Sequence, residues 1–259
     1  MPFPNFDPVI FSVGPLSVRW YGLMYLLGFL LAYLVINHLA KYRGLSLDKE
    51  GVSDLLFYAV IGVVAGGRLG YTLFYNAGYY LSHPLEIFYV WEGGMSFHGG
   101  LLGVVVALVL FSRRRNIPTL MVGDIAVTAA ALGLGLGRLG NFINGELWGR
   151  VTDVPWAVIF PTAGPDPRHP SQLYEAALEG PLLFFCLWIL HRRKVPAGVP
   201  FFCFFLLYGV FRFMVEFVRQ PDAHLGFLWA GATMGQLLSA PMVLFGVVGL
   251  YVLRRRSLS

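Results

Sequence analysis

The densest group of reactive side chains in the sequence is GLGLGRLGNFINGELWGR, residues 133–150, where Arg138, Asn141, Asn144, Glu146 and Arg150 follow glycines at 133, 135, 137 and 140. A planar, always-charged guanidinium carrying five donors suits bidentate capture of a phosphate. Asn141 lies three residues beyond Arg138, so both share one face if a helix continues that far, and their donors could then converge on one anionic head group. A second group, YGVFRFMVEFVRQPD (208–222), sets Tyr208, Arg212, Glu216 and Arg219 along one helical face. Two readings stay open for it: a self-contained stripe in which Arg212 pairs with Glu216, or the wall of a polar cavity that shares an anion with Arg138. A lipid-facing stripe is excluded by the cost of exposed charge in hydrocarbon.

A third group, WEGGMSFHGGLLG (91–103), supplies His98 beside Gly99 and Gly100. A neutral imidazole can take a proton at neutral pH, and the glycines predict open space next to its ring. The alternative is a structural histidine. Ser96 does not face His98 on a single helical turn, which argues against a serine nucleophile. WYGLMY (20–25) places Tyr21 and Tyr25 one turn apart, and Arg68 in GGRLGY repeats the Gly-Arg-Leu-Gly order around Arg138. RHPSQLYE (168–175) reads as a turn entering a helix, with Pro170 near its first position and His169 or Ser171 near its cap. Cys186 and Cys203 sit in apolar runs as free thiols. HExxH, CxxC and P-loop patterns are missing from the sequence, so no metal or other cofactor is expected.

The elements that must position these groups are set by composition. Of 259 residues, 57% are hydrophobic and 13% charged, with a mean hydropathy of +0.66. Soluble domains carry roughly 25% charged residues, so the sequence excludes disorder, a cytosolic α/β enzyme and a coiled coil. It predicts an all-α integral membrane protein, residues 1–259 forming one polytopic domain. About seven transmembrane helices are expected, near Val18–Leu39, Val52–Tyr75, Met95–Ser112, Leu120–Arg138, Ser171–His191, Val199–Phe217 and Gly231–Leu253, each long enough to cross roughly 30 Å of hydrocarbon. The N-terminal stretch lacks a basic region, so its first apolar run is expected to stay as a span.

The net charge of +5 suggests nucleic acid only until its placement is examined. Of the 19 basic residues, 12 form four clusters: Lys41, Arg43 and Lys49; Arg113–Arg115; Arg192–Lys194; and Arg254–Arg256. All four fall on one side of the seven predicted spans, and no aromatic residues interleave to stack bases. The positive-inside rule makes that side cytoplasmic, with the N-terminus outside and the C-terminus inside. The remaining seven, Arg19, Arg68, Arg138, Arg150, Arg168, Arg212 and Arg219, are all arginines toward the outer side. They hold a head group, or they snorkel to the interface or form helix–helix salt bridges with Glu146, Glu175, Glu179 or Glu216. The long connection 139–170, with Trp156, Val158 and Phe160 alternating, is expected to fold as a small outer cap. Polar residues concentrate in the outer half, which favours an enzyme over a transporter acting on an anionic lipid.

WYGLMY, GGRLGY, GGMSFHGG, GRLGNFINGELWGR, RHPSQLYE and YGVFRFMVEFVRQPD, taken in this order, resemble the bacterial phosphatidylglycerol:prolipoprotein diacylglyceryl transferase family. The resemblance implies transfer of a diacylglyceryl unit from phosphatidylglycerol to the lipobox cysteine thiol of a prolipoprotein, forming a thioether and releasing glycerol 1-phosphate. It also implies an inner-membrane protein whose site faces the periplasm, in contact with membrane lipids. By resemblance, His98, Arg138, Arg212 and Tyr21 are catalytic. Arg138, Asn141, Glu146, Gly149, Tyr208, Arg212 and Glu216 bind substrate, and Arg68 joins them through its repeated motif. The nucleophile belongs to the substrate, so neither cysteine of the chain is needed.

Overall fold

The computed structural model describes residues 1–4, 6–14, 16–221, 228 and 231–256, and is mostly helical. Asp222, the last residue of the YGVFRFMVEFVRQPD motif, lies outside the described residues. The trace divides into two compact units, residues 1–36 with 124–259, and residues 37–123.

The expectation of an all-α chain needs one correction. Strands β1 (Val9–Val13) and β2 (Leu16–Arg19) pair antiparallel, with Phe11 opposite Val18 and Ser12 opposite Ser17. β-Branched residues on both sides of a turn favour a hairpin, and Gly14, at φ +58°, takes the left-handed backbone there. Helix α1 (Trp20–Tyr42) therefore starts after Val18 and Arg19, which the span reading had included.

Helices α2 (Lys49–Phe74), α4 (Phe97–Arg114), α5 (Thr119–Ile143) and α9 (Met234–Arg256) follow the expected spans within a few residues at most ends. α5 instead runs five residues past Arg138, to Ile143. The span from Ser171 is broken into α6 (Ser171–Ala177), a π-helical turn at Leu178–Leu182 and α7 (Leu183–Arg192). Gly180 leaves helical geometry there and Pro181 removes a backbone donor. Six helical segments are long and apolar enough to cross a membrane, and α8 (Val199–Val215) is a shorter apolar helix. The protein is a multi-pass membrane protein.

In the 37–123 unit, α2 and α4 pack backbone to backbone. A Cβ on Gly62 would stand 2.6 Å from the Gly103 carbonyl oxygen, one on Gly70 would stand 2.8 Å from the Gly99 Cα, and one on Gly66 would overlap the Gly99 carbonyl. Glycines four residues apart on α2 thus let two helices approach without side chains between them. Asp48 caps α2 by accepting from the Gly51 amide at 2.8 Å, and Ser96 caps α4 by accepting from the Gly99 amide at 3.2 Å. Between them lie α3 (Ala77–Ser82) and two short 3₁₀ turns, Pro84–Phe88 and Val90–Glu92.

In the other unit, Ala131, Leu183 and Leu187 form a fully buried apolar centre against Cys203, Phe204, Leu207 and Phe211 of α8. Asp124, buried on α5, crosses to α8 and accepts from the backbone amides of Gly198 at 2.8 Å and Phe201 at 2.9 Å. This carboxylate caps the positive end of α8. The 144–170 connection contains isolated bridges, not full strands: Val151 and Val158 each pair with Arg168, Gly149 pairs with Arg219, and Ile159 pairs with Pro2. Within it Val158 and Phe160 are buried while Trp156 is exposed.

Candidate functional site

The polar centre of the first unit is built on α6 and the π-helical turn that follows it. Glu175 and Glu179 stand one turn apart, both fully buried. Glu175 meets Arg138 Nε at 3.3 Å, Arg219 Nη1 at 3.0 Å and Arg212 Nη1. Glu179 accepts from Arg138 Nε at 3.1 Å. Glu216 takes Arg212 Nη2 at 2.5 Å across the four-residue spacing, and also accepts from the Thr233 hydroxyl at 2.5 Å. Ion pairing among these residues, one of the two readings open from sequence, is therefore present.

A close backbone approach creates this geometry. A Cβ on Gly135 would stand 2.8 Å from the Gly180 Cα, so α5 lies directly against the π-helical turn. Arg138, one turn further along α5, consequently reaches the carboxylates with its Nε. Its two terminal nitrogens make no hydrogen bond among the described residues and are not enclosed. Arg212 is the reverse case, because both of its terminal nitrogens are held by carboxylates. The Tyr208 hydroxyl, neighbour to Arg138 and Glu179, also has no hydrogen-bond partner among the described residues. An open guanidinium fork and a phenol therefore sit beside a charge-balanced anchor, a geometry suited to a phosphate.

The continuation of α5 to Ile143 places Asn141 on the same helix as Arg138. Asn141 Nδ2 donates to Glu146 Oε1 at 2.9 Å, and Asn144 Nδ2 donates to the same oxygen at 3.3 Å. Tyr21 neighbours Asn141 and Glu146, and its hydroxyl lies 3.3 Å from that of Tyr25. Gly140 makes room for this ring, since a Cβ there would stand 2.8 Å from it. Tyr21, Asn141 and Glu146 are thus brought together, as are Arg138, Tyr208, Arg212 and Glu216. Gly149 lies where a Cβ would stand 2.6 Å from the His169 carbonyl oxygen and 2.7 Å from that of Val218. Arg150 ties the same seam by donating to the carbonyls of Arg219 at 3.0 Å and Glu216 at 3.1 Å.

His169 follows in this connection, with Nδ1 3.3 Å from the Tyr174 hydroxyl, which accepts from Trp156 Nε1 at 2.6 Å. Burial pulls the His169 imidazole below the ordinary histidine range.

Arg68 and His98 belong to the other unit. The Arg68 guanidinium is buried and donates to four carbonyls of the 86–94 segment: Ile87 at 2.7 Å, Gly93 at 2.6 Å, Gly94 at 3.3 Å and Glu86 at 2.5 Å. Its likeness to Arg138 is one of motif, not of surroundings. His98 is exposed on the first turn of α4. The open space expected from its glycines is corrected: Gly99 faces the Gly66 backbone, and a Cβ on Gly100 would stand 3.4 Å from the Val63 carbonyl oxygen. These glycines serve helix packing. Ser96 is the α4 cap, as its hydrogen bond to the Gly99 amide shows.

Glu175, Glu179 and Gln172 were not singled out as site residues by sequence. The available signal was two carboxylates one turn apart inside an apolar run, which hydrocarbon tolerates only when they are paired.

Residues 8–252 match the family described as prolipoprotein diacylglyceryl transferase. The chain belongs to that family. It is 59% identical over 256 residues to the phosphatidylglycerol–prolipoprotein diacylglyceryl transferase of Geobacter sulfurreducens, covering 99% of this chain and 98% of the relative. The protein of the same name from Vibrio vulnificus strain YJ016 is 56% identical, covering 95% of this chain and 91% of the relative. That from Aeromonas hydrophila is 54% identical, covering 98% and 93%. The family's chemistry and the polar centre on α5, α6 and α8 coincide in one chain.

Proposed function

We propose that the protein transfers the diacylglyceryl group of phosphatidylglycerol to the lipobox cysteine of a prolipoprotein, the first step of lipoprotein maturation. The observation that carries the reading is the Arg138 guanidinium, anchored through Nε at 3.1 Å from Glu179 while its terminal nitrogens stay open. That fork takes the lipid phosphate. The substrate thiolate attacks the glyceryl carbon, the C–S bond forms as the C–O bond to phosphate breaks, and glycerol 1-phosphate leaves. Negative charge grows on the leaving phosphate oxygens, where a preorganised guanidinium stabilises it most.

Arg212 and Glu216 hold the frame around Arg138, and Tyr208 offers its hydroxyl to the head group. Asn141, Glu146 and Tyr21 line the neighbouring polar wall, and Gly149 keeps the seam closed. His98 takes the thiol proton, since the thiolate is the nucleophile, and Tyr21 assists. Arg68 acts by holding its loop.

The chain sits in the inner membrane as one polytopic domain of seven spans, α8 counted among them, with the N-terminus outside, the C-terminus cytoplasmic and the site toward the periplasm. The four basic clusters at one set of helix ends support this orientation. Residues 139–170 form the outer cap that meets the prolipoprotein. The deciding experiment incubates purified protein with phosphatidylglycerol and a lipobox peptide and measures peptide mass. Gain of one diacylglyceryl unit is expected, and an unchanged peptide in the presence of folded protein overturns the reading.

A further inference from the structure

The turn that carries Glu146 is held in an unfavourable backbone. Leu147 stands at φ +59°, in the left-handed region that disfavours any residue with a Cβ, and Gly145, on the other side of Glu146, stands at φ +65°. Two side chains from the first turn of α6 grip its carbonyls. Gln172 Nε2 donates to the Glu146 carbonyl at 2.6 Å, and Ser171 Oγ donates to the Leu147 carbonyl at 3.2 Å. Both side chains are fully buried. Gln172 Oε1 is enclosed with no hydrogen-bond partner among the described residues. A buried amide with an unmet acceptor destabilises a fold relative to an apolar side chain of similar size, so the amide's value lies in its donor.

The same helix bears Glu175 one turn beyond Ser171, and Glu175 anchors Arg138, Arg212 and Arg219. One turn of α6 therefore fixes both the arginine cluster and the backbone beneath Glu146. We propose that Gln172 is a positioning residue of the transfer reaction, clamping the Glu146–Leu147 turn, in which Leu147 is left-handed, so that the Glu146 carboxylate accepts from Asn141 and Asn144 beside Tyr21. It acts through Glu146 and touches no reacting atom. The inference rests on the reading of Glu146 as a site residue.

The test measures kcat, the KM for phosphatidylglycerol and thermal stability in detergent for Gln172→Leu, Gln172→Glu, Gln172→Leu with Leu147→Gly, and Glu146→Gln. Loss of the clamp is expected to lower kcat about tenfold in Gln172→Leu, the effect of one hydrogen bond, with KM changed less than about twofold. Glycine adopts the left-handed turn without a clamp, so adding Leu147→Gly is expected to restore kcat to within about threefold of wild type. Should the leucine variant not be recovered, Gln172→Glu keeps the shape while placing acceptors against the Glu146 carbonyl, and a lowered kcat is expected from it too. Wild-type kcat in both Gln172 variants, or a loss that Leu147→Gly leaves unrepaired, overturns the inference. If Glu146→Gln is impaired while the Gln172 variants are not, only the clamp fails. If Glu146→Gln turns over as wild type, the site reading fails and the clamp with it.

Discussion

Arg138→Lys separates the two roles that Arg138 combines. In the wild type, Nε faces Glu179 at 3.1 Å and Glu175 at 3.3 Å, and the terminal nitrogens stay open. A lysine has one nitrogen at the end of its chain, so it can hold the carboxylates or reach a phosphate, but not both at once. Its charge remains, so the buried acids are still neutralised and the fold is expected to survive with an unchanged thermal midpoint in detergent. The phosphate loses at least one charge-assisted hydrogen bond, about 1.5 to 3 kcal/mol. If that bond strengthens as charge builds on the leaving phosphate, turnover falls by roughly 10- to 150-fold. The assay follows diacylglyceryl transfer to a lipobox peptide by mass at saturating phosphatidylglycerol. A folded Arg138→Lys protein working at the wild-type rate would refute the reasoning and leave Arg138 as a structural ion pair alone.

Glu175→Gln removes the negative charge shared by three guanidinium groups and is expected to cost about 3 to 5 kcal/mol, read as a lower thermal midpoint, because it leaves buried cations short of a counter-charge. Gly66→Val forces a side chain into the Gly99 backbone and is expected to destabilise by roughly 1 to 3 kcal/mol, whereas Gly78→Ala, with nothing within 4 Å of its Cβ, leaves the same melting curve in place. His169 has a depressed value in the folded protein, so the unfolded chain binds the proton more readily. Its contribution is intact above the ordinary histidine value near 6.5 and is lost as pH falls through that value toward the lower folded one. A stability titration over this window is expected to show a slope that His169→Gln removes; an identical slope in the variant refutes the assignment.

Local patterns carried much of the molecule. The apolar run lengths predict about seven spans, of which six are helical segments long and apolar enough to cross, and the four-residue spacing of Arg212 and Glu216 put them on one face, where they pair at 2.5 Å. Continuation of α5 past Arg138 was posed as a condition by the Arg138–Asn141 spacing and is met in the fold. Local signals failed where one motif served two ends. Gly-Arg-Leu-Gly occurs at Arg68 and Arg138, yet one guanidinium closes a loop through backbone carbonyls while the other meets carboxylates and leaves its fork open. The glycines beside His98 suggested space, but a glycine also marks contact, and only the neighbouring helix tells the two apart. The hairpin at Val9–Arg19 was hidden because Val18 and Arg19, the end of its second strand, read as the start of the following span.

The sequence by itself determined a membrane-embedded helical chain and its set of arginines, because hydropathy and helical spacing are properties of neighbours along the chain. Which carboxylate each arginine meets was decided by the tertiary structure. Arg138 and Glu179 lie 41 residues apart, and they meet because Gly135 and Gly180 let two backbones touch. A guanidinium's free donors are those its distant partners leave unused, and that remainder exists only once the helices have packed.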